Sequence, residues 1–311
     1  MSIEIIAIEG LGEIEAGADL AELVTAHASP QDGDVVVITS KIVSKALGLA
    51  TSETRDDVIA ASTDRVVAAR GATRIIRTHH GLTLAAAGVD ASNVAPGVVL
   101  PLPPDPDGTA REIRAAIHER VGVQVAVVIS DTAGRAWRVG QTDIAIGCAG
   151  LAPFESFAGR DDAYGNALMV TEPAVADEVA GAAELATGKL GQRPVAIIRG
   201  LNPALLLDED GPGAAALIRD EEGDMFGLGA RDAVLASLEG VPVRGFPVSD
   251  DEDLDLVALA SCGDLLVERT TDGYVIRAAA NQQVDAGMLK QRMLAIAVAH
   301  GLQITVVVKI S

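Results

Sequence analysis

At 311 residues the chain is too long for one ordinary core, and two domains are expected. A net charge of −20 at pH 7 argues against a general nucleic-acid or anionic-membrane partner, which needs a basic face. With 49% hydrophobic but only 2% aromatic residues, the core must be built from Ala, Val, Leu and Ile, a mix that suits strands packed on Ala-rich helices.

No apolar run approaches the roughly 20 residues that span a bilayer, and no basic-then-apolar leader opens the chain. The two cysteines, Cys148 and Cys262, lie far apart, so a reduced, cytoplasmic compartment fits better than a disulfide framework. Ile3–Ile6 reads as a strand running into Gly10-Leu11-Gly12-Glu13-Ile14, and Asp19–His27 as a helix. Val35–Thr39 is a buried strand, Asp56–Ala69 is helical, and Arg74–Arg77 is extended. Five prolines exclude regular helix over Pro96–Pro106, which is a connector or an edge. Thr109–Arg120 is helical, and the apolar strand Val123–Ile129 ends at a turn beginning Ser130-Asp131-Thr132. Ile144–Ala152 is apolar, Leu168–Thr171 and Val195–Arg199 are strands, and Ala174–Thr187 is a helix. Beyond about Gly240, Leu265–Arg269 and Tyr274–Ala278 flank Asp272-Gly273 as a hairpin, followed by helix Met288–His300 and strand Gln303–Ile310. The expected organisation is a mixed α/β domain over 1–240 and a small αββαβ-like unit over 241–311.

Gly10-Leu11-Gly12 fails the spacing of a dinucleotide loop, since Glu15 stands where the third glycine belongs; its residues favour a tight turn. Ser40-Lys41 falls at the end of a buried strand, with Lys45 four residues on from Lys41. Two ammonium groups and the hydroxyls of Ser40 and Ser44 suit a polyphosphate; they equally suit a solvated helix start. Asp131, followed by Gly134, Arg135 and Arg138, mixes a hard-cation ligand with phosphate-binding guanidiniums, or else forms a capped turn with paired arginines. Asp143 is open to the same network or to Arg138. Thr171 and Glu172 offer further oxygen ligands at a strand end, whereas Asp177 and Glu178 read as solvated helix-start residues. His79-His80 lacks zinc-like spacing, and Cys148 reads as a buried, inert thiol. The acidic run Asp250–Asp255 reads as solvated.

Gly10–Ile14, Ser40–Lys45, Ala87-Gly88-Val89-Asp90 with Ser92-Asn93, Ser130–Thr132, Gly140-Gln141-Thr142-Asp143 and Tyr164-Gly165-Asn166 together resemble the coenzyme F420-0:L-glutamate ligase family. The resemblance spans roughly residues 3 to 230 in order, and Gly134–Arg138 is especially similar to actinobacterial members. It implies an F420 gamma-glutamyl ligase-like fold in an intertwined homodimer. It also implies a GTP-dependent ligase that joins L-glutamate to coenzyme F420-0 through an acyl phosphate and then adds γ-linked glutamates. By position, Leu11, Gly12, Glu13, Ile14, Ser40, Lys41 and Lys45 would contact GTP, with Gly134 close to it. Asp131, Thr171 and Glu172 would ligate Mg2+ or Mn2+, with K+ as a further cation. Asp131, Lys45 and Arg135 would act at the transferring phosphoryl group. Where the family carries Cys-Ala-Asn-Ala-Gly-Val-Asp, this chain has Leu84-Ala85-Ala86-Ala87-Gly88-Val89-Asp90. Its last 70 or so residues are too few for the flavin-binding domain fused to some members, so no flavin is expected. Two readings remain beside this one: a related ligase using another carboxylate acceptor, and a non-enzymatic GTP sensor.

Overall fold

The computed structural model describes residues 2–221, 223–240, 245–246, 255–260 and 265–311. The chain forms two compact units, Met1–Ile218 and Arg219–Ser311, dividing earlier than the boundary expected near residue 240. Cys262 and most of the Asp250–Asp255 run lie outside the described residues.

In the first unit the order is β1 (Glu4–Ala7), α1 (Leu20–His27), β2 (Val35–Thr39), α2 (Ser40–Ala46) and α3 (Arg55–Ala61). Then come β3 (Thr63–Arg70), β4 (Thr73–Thr78), β5 (Thr83–Ala85), α4 (Pro106–Val121), β6 (Ala126–Gly134) and β7 (Gln141–Ala149). The unit closes with β8 (Arg160–Asp161), β9 (Ala167–Leu168), α5 (Val175–Thr187) and β10 (Val195–Arg199). The main sheet has the order β1-β10-β2-β6-β7, and only the β2–β6 pair is parallel. A second sheet, β3-β4-β5, is antiparallel.

Strands β2 and β10, and β6 as far as Ile129, are apolar at nearly every position because both faces of the main sheet are covered. Val36, Ile38, Val127, Ile129, Val195 and Ile197 pack toward Val24 of α1 and Ile113 and Ile117 of α4. Their neighbours Val35, Val37, Ala126, Val128, Ala196 and Ile198 pack toward Val175, Val179 and Ala183 of α5. Each isoleucine fully buried in this way contributes about 1.5–3 kcal/mol. Small residues permit the close approach of α4 to β7: a Cβ on Gly147 would lie 2.5 Å from the Pro106 carbonyl oxygen. Asp105 caps α4 by accepting the Gly108 N–H, and Pro106 occupies its first turn.

Three expectations need correction. The helix expected over Asp56–Ala69 ends at Ala61. There the Ser62 and Thr63 hydroxyls donate back to the Val58 and Ile59 carbonyls, and Thr63–Arg70 is drawn into pairing with β4. The strand expected to stop before Ser130 runs through Asp131 and Thr132 to Gly134, because β7 keeps pairing with it after β2 has ended. Finally, Leu168–Thr171 is not a strand throughout: only Ala167–Leu168 finds a partner, and Thr171 and Glu172 sit exposed in the loop before α5.

The second unit contains α6 (Ala230–Glu239), α7 (Leu256–Ala260), β11 (Leu266–Thr270), β12 (Gly273–Ala278), α8 (Gln283–Ala299) and β13 (Val306–Ile310). Strands β11 and β12 form the hairpin expected around Asp272-Gly273, and β13 joins β12 in parallel. Leu256, Ile276, Leu289, Met293 and Val306 build its separate core. Among the described residues, no helix is long and apolar enough to cross a membrane.

Candidate functional site

The parallel pairing of β2 with β6 sets Thr39 opposite Ser130, and this is the last pair of that ladder. One residue further on, both chains turn to chemistry. Ser40 opens α2 with no intervening residue, and its buried hydroxyl donates to Asp131 Oδ1 at 2.9 Å. Asp131 therefore lies on the stretch of β6 and β7 that overhangs the β2 ladder.

From α2, Lys41 and Lys45 reach two further segments. Lys41 Nζ pairs with Asp90 Oδ2 at 2.7 Å and donates to Ser92 Oγ at 2.7 Å. Lys45 Nζ pairs with Glu13 and donates to the Asn93 carbonyl at 3.0 Å. Leu11 and Ile14 are buried in the core beneath, which turns the intervening Glu13 outward to meet Lys45. The loop can fold this way because Gly10 and Gly12 adopt positive φ values of 79° and 69°. Four segments distant in sequence thus meet at the end of the β2 ladder: Leu11–Ile14, Ser40–Lys45, Asp90–Asn93 and Asp131.

The electrostatics differ between the two aspartates. Burial pushes the Asp131 carboxyl up to about 6, against the hydrogen bonds from Ser40 and the Thr132 backbone, and the charges of Asp143 and Asp90 add to the rise. Burial also opposes ionisation of Asp90, but its hydrogen bonds from Lys41 and Ser92 outweigh that and hold it below the usual carboxylate range. Asp90 has its lysine; Asp131 has a hydroxyl.

Side chains alternate along β6, so Ser130 and Thr132 face away from Asp131, toward α5. There both hydroxyls donate to the buried Asp143, at 3.1 and 2.8 Å. The cation beside Asp143 is Lys189, at 3.1 Å, and Lys189 also donates to Thr132 Oγ1 at 2.6 Å and pairs with Glu184. A bulge breaks the ladder just before this point: Ile129 faces Gly147 while Ser130 faces Ala145. At the bulge the Ala145 N–H donates to Asp177 Oδ1 at 2.9 Å. Asp177 is thus a partly buried acceptor rather than the solvated residue expected, and burial raises its carboxyl.

The remaining expected residues stand apart from this contact network. Gly134 ends β6, and Arg135 bends over the hairpin tip to donate to the Val139 carbonyl. Thr171 accepts the Phe157 N–H through its carbonyl, and the Thr171 and Glu172 side chains are exposed. Among the described residues, no three His, Cys, Asp or Glu side chains converge as a metal cluster. Cys148 is buried, and burial, with the Asp107 charge, raises its thiol to about 12, so it is inert. Lys189 was missed from sequence because it follows a helix end with no local signal and meets Asp143 across 46 residues.

The profile of the family described as F420-0:Gamma-glutamyl ligase matches residues 10–55 and 52–200. Coenzyme F420:L-glutamate ligase of Methanothermobacter thermautotrophicus is 37% identical over 252 residues, covering 73% of this chain and 99% of that protein. The protein of the same name from Methanopyrus kandleri is 37% identical over 235 residues, covering 69% and 93% of the two chains. That of Haloarcula marismortui is 35% identical over 256 residues, covering 74% and 98%. All the segments that meet around Ser40 and Asp131 lie inside the matched residues, and the chain belongs to the F420-0:gamma-glutamyl ligase family.

Proposed function

We propose that this chain is a GTP-dependent ligase that forms an amide between L-glutamate and coenzyme F420-0 and then adds γ-linked glutamates. The observation that carries the reading is the meeting of Ser40, Lys41, Lys45 and Asp131 at one sheet end, within the residues matched to the family. A carboxylate is a poor electrophile, so an amide ligase must first activate it. An acceptor carboxylate oxygen attacks the γ-phosphorus of GTP, releasing GDP and leaving an acyl phosphate. The glutamate amine then attacks the acyl carbon, expels phosphate and gives up a proton.

In this scheme Lys41 and Lys45 exchange Asp90 and Glu13 for phosphate oxygens, and Leu11–Ile14 and Gly134 line the nucleotide. Arg135 supplies further positive charge at the hairpin. The donor chemistry suits a hard divalent cation: a half-buried carboxylate whose partner is a hydroxyl 2.9 Å away rather than a lysine. Asp131 would hold Mg2+ or Mn2+, with Thr171 and Glu172 as the further ligands that the family resemblance implies. Such an ion supplies charge neutralisation at the transferring phosphoryl group. Few protein ligands are needed, because Mg2+ usually keeps waters and takes substrate oxygens. Exposure of Val139, Met169, Val170, Leu185 and Leu190 supports association as a homodimer.

GDP release should require F420-0, L-glutamate and a divalent cation together. Binding of GTP with no turnover under those conditions contradicts the proposal.

A further inference from the structure

The overhanging end of β6 and β7 is held from both faces. On one face, Ser40 of α2 fixes Asp131 at 2.9 Å. On the other, Thr132 and Ser130 hang on Asp143, and among the described residues the lysine beside that acid is Lys189, two residues past the end of α5. Lys189 makes three polar contacts there, with Thr132 Oγ1, Asp143 Oδ1 and Glu184 Oε1. Asp143 is only 8% exposed, whereas the Lys189 side chain is 55% exposed. A buried carboxylate with two hydroxyl donors and no cation is costly, and its neighbours relax to reach water or another charge. The residues that would move are Ser130 and Thr132, the two that flank Asp131 in the chain.

We infer that Lys189 is a positioning residue: by neutralising Asp143 and binding Thr132, it fixes the ribbon so that Asp131 faces Ser40 across the site. It touches neither nucleotide nor acceptor in this account. Its effect passes through the strand, since alternate residues of β6 share one backbone. The inference rests on the reading of Asp131 as the residue at the reacting centre.

The test compares wild type with Lys189→Met, Lys189→Arg, Asp143→Asn and the double variant Lys189→Met/Asp143→Asn, recording kcat, the KM for glutamate and thermal unfolding. Lys189→Met should lower kcat about tenfold or more while the KM for glutamate stays within about twofold, the pattern of a misplaced catalytic group rather than lost substrate binding. Lys189→Arg should retain most of the rate. Because the charge to be neutralised is Asp143, the double variant should be faster than Lys189→Met alone, a non-additive result expected for contacting residues. An unchanged kcat in Lys189→Met, with or without a lower unfolding temperature, overturns the inference. So does a double variant whose losses simply multiply. If Lys189→Met does not fold, Lys189→Arg and the double variant decide on the same criteria. Asp131→Asn, run alongside, tests the underlying site separately. Full activity in that variant removes the site reading, whereas a dead Asp131→Asn beside a fully active Lys189→Met removes only the role of Lys189.

Discussion

Ser40 and Asp131, 91 residues apart in sequence, are joined by a 2.9 Å hydrogen bond because β2 ends at Thr39 beside Ser130 of β6. The serine begins a helix, and the aspartate sits where a strand outruns its parallel neighbour. Burial raises this aspartate's carboxyl, and that has a measurable consequence.

Asp131 costs stability at neutral pH. Its folded pKa of about 6 lies above the ordinary 3.8, so the folded protein holds the proton more tightly than the unfolded chain does. The stabilising effect of that proton is complete below about pH 3.8 and disappears as pH rises through about 6. Without divalent metal, Asp131→Asn should therefore stabilise the protein at pH 7.5, by at most about 3 kcal/mol, and with metal supplied it should lack activity. The gain should vanish near pH 3.5. Denaturant unfolding of both proteins across this range checks it; a variant less stable than wild type at pH 7.5 contradicts the burial argument.

Lys45 tests the nucleotide side. Its partner Glu13 is 75% exposed, so their ion pair contributes little to folding. Lys45→Met keeps most of the aliphatic stem and removes the charge. The KM for GTP should rise about ten- to a hundredfold, equivalent to roughly 1.4–2.8 kcal/mol, with thermal unfolding nearly unchanged. A KM within twofold of wild type would take Lys45 out of the phosphate site.

Asp177 should matter to stability. Removing its carboxylate leaves the Ala145 N–H at the β7 bulge without its acceptor. Asp177→Ala should cost about 1–3 kcal/mol in denaturant unfolding, the usual penalty for a buried donor left unpaired. Asp177→Asn, which still offers an oxygen, should cost less. Equal stability of all three proteins would mean that water replaces the carboxylate freely.

Much of the main sheet was legible in the sequence. Val35–Thr39 and Val195–Arg199 are short β-branched runs, buried on both faces, and they form strands over those residues. Beyond Ile129 the apolar pattern stops, and pattern alone gave no reason for β6 to continue; the pairing partner Gln141–Ala149 supplied it. The segment after Ala61 was misread for a similar reason, since Thr63–Arg70 becomes a strand through contacts with β4. At the site, strand-end polar residues marked Ser40, Lys41 and Asp131 separately. Their meeting depended on register, and the contacts of Asp90 with Lys41 and of Lys189 with Asp143 on tertiary packing. Nothing in the spacing of those residues encodes either contact.

The central claim is that the site around Asp131 joins glutamate to F420-0 at the expense of GTP. It is tested most directly by product mass, after incubating wild type and Asp131→Ala with F420-0, L-glutamate, GTP and Mn2+. The account predicts that wild type yields products heavier by whole glutamyl units, with GDP formed in step, and that folded Asp131→Ala yields none. Unchanged F420-0 with the wild-type protein, or equal product from both proteins, would contradict it.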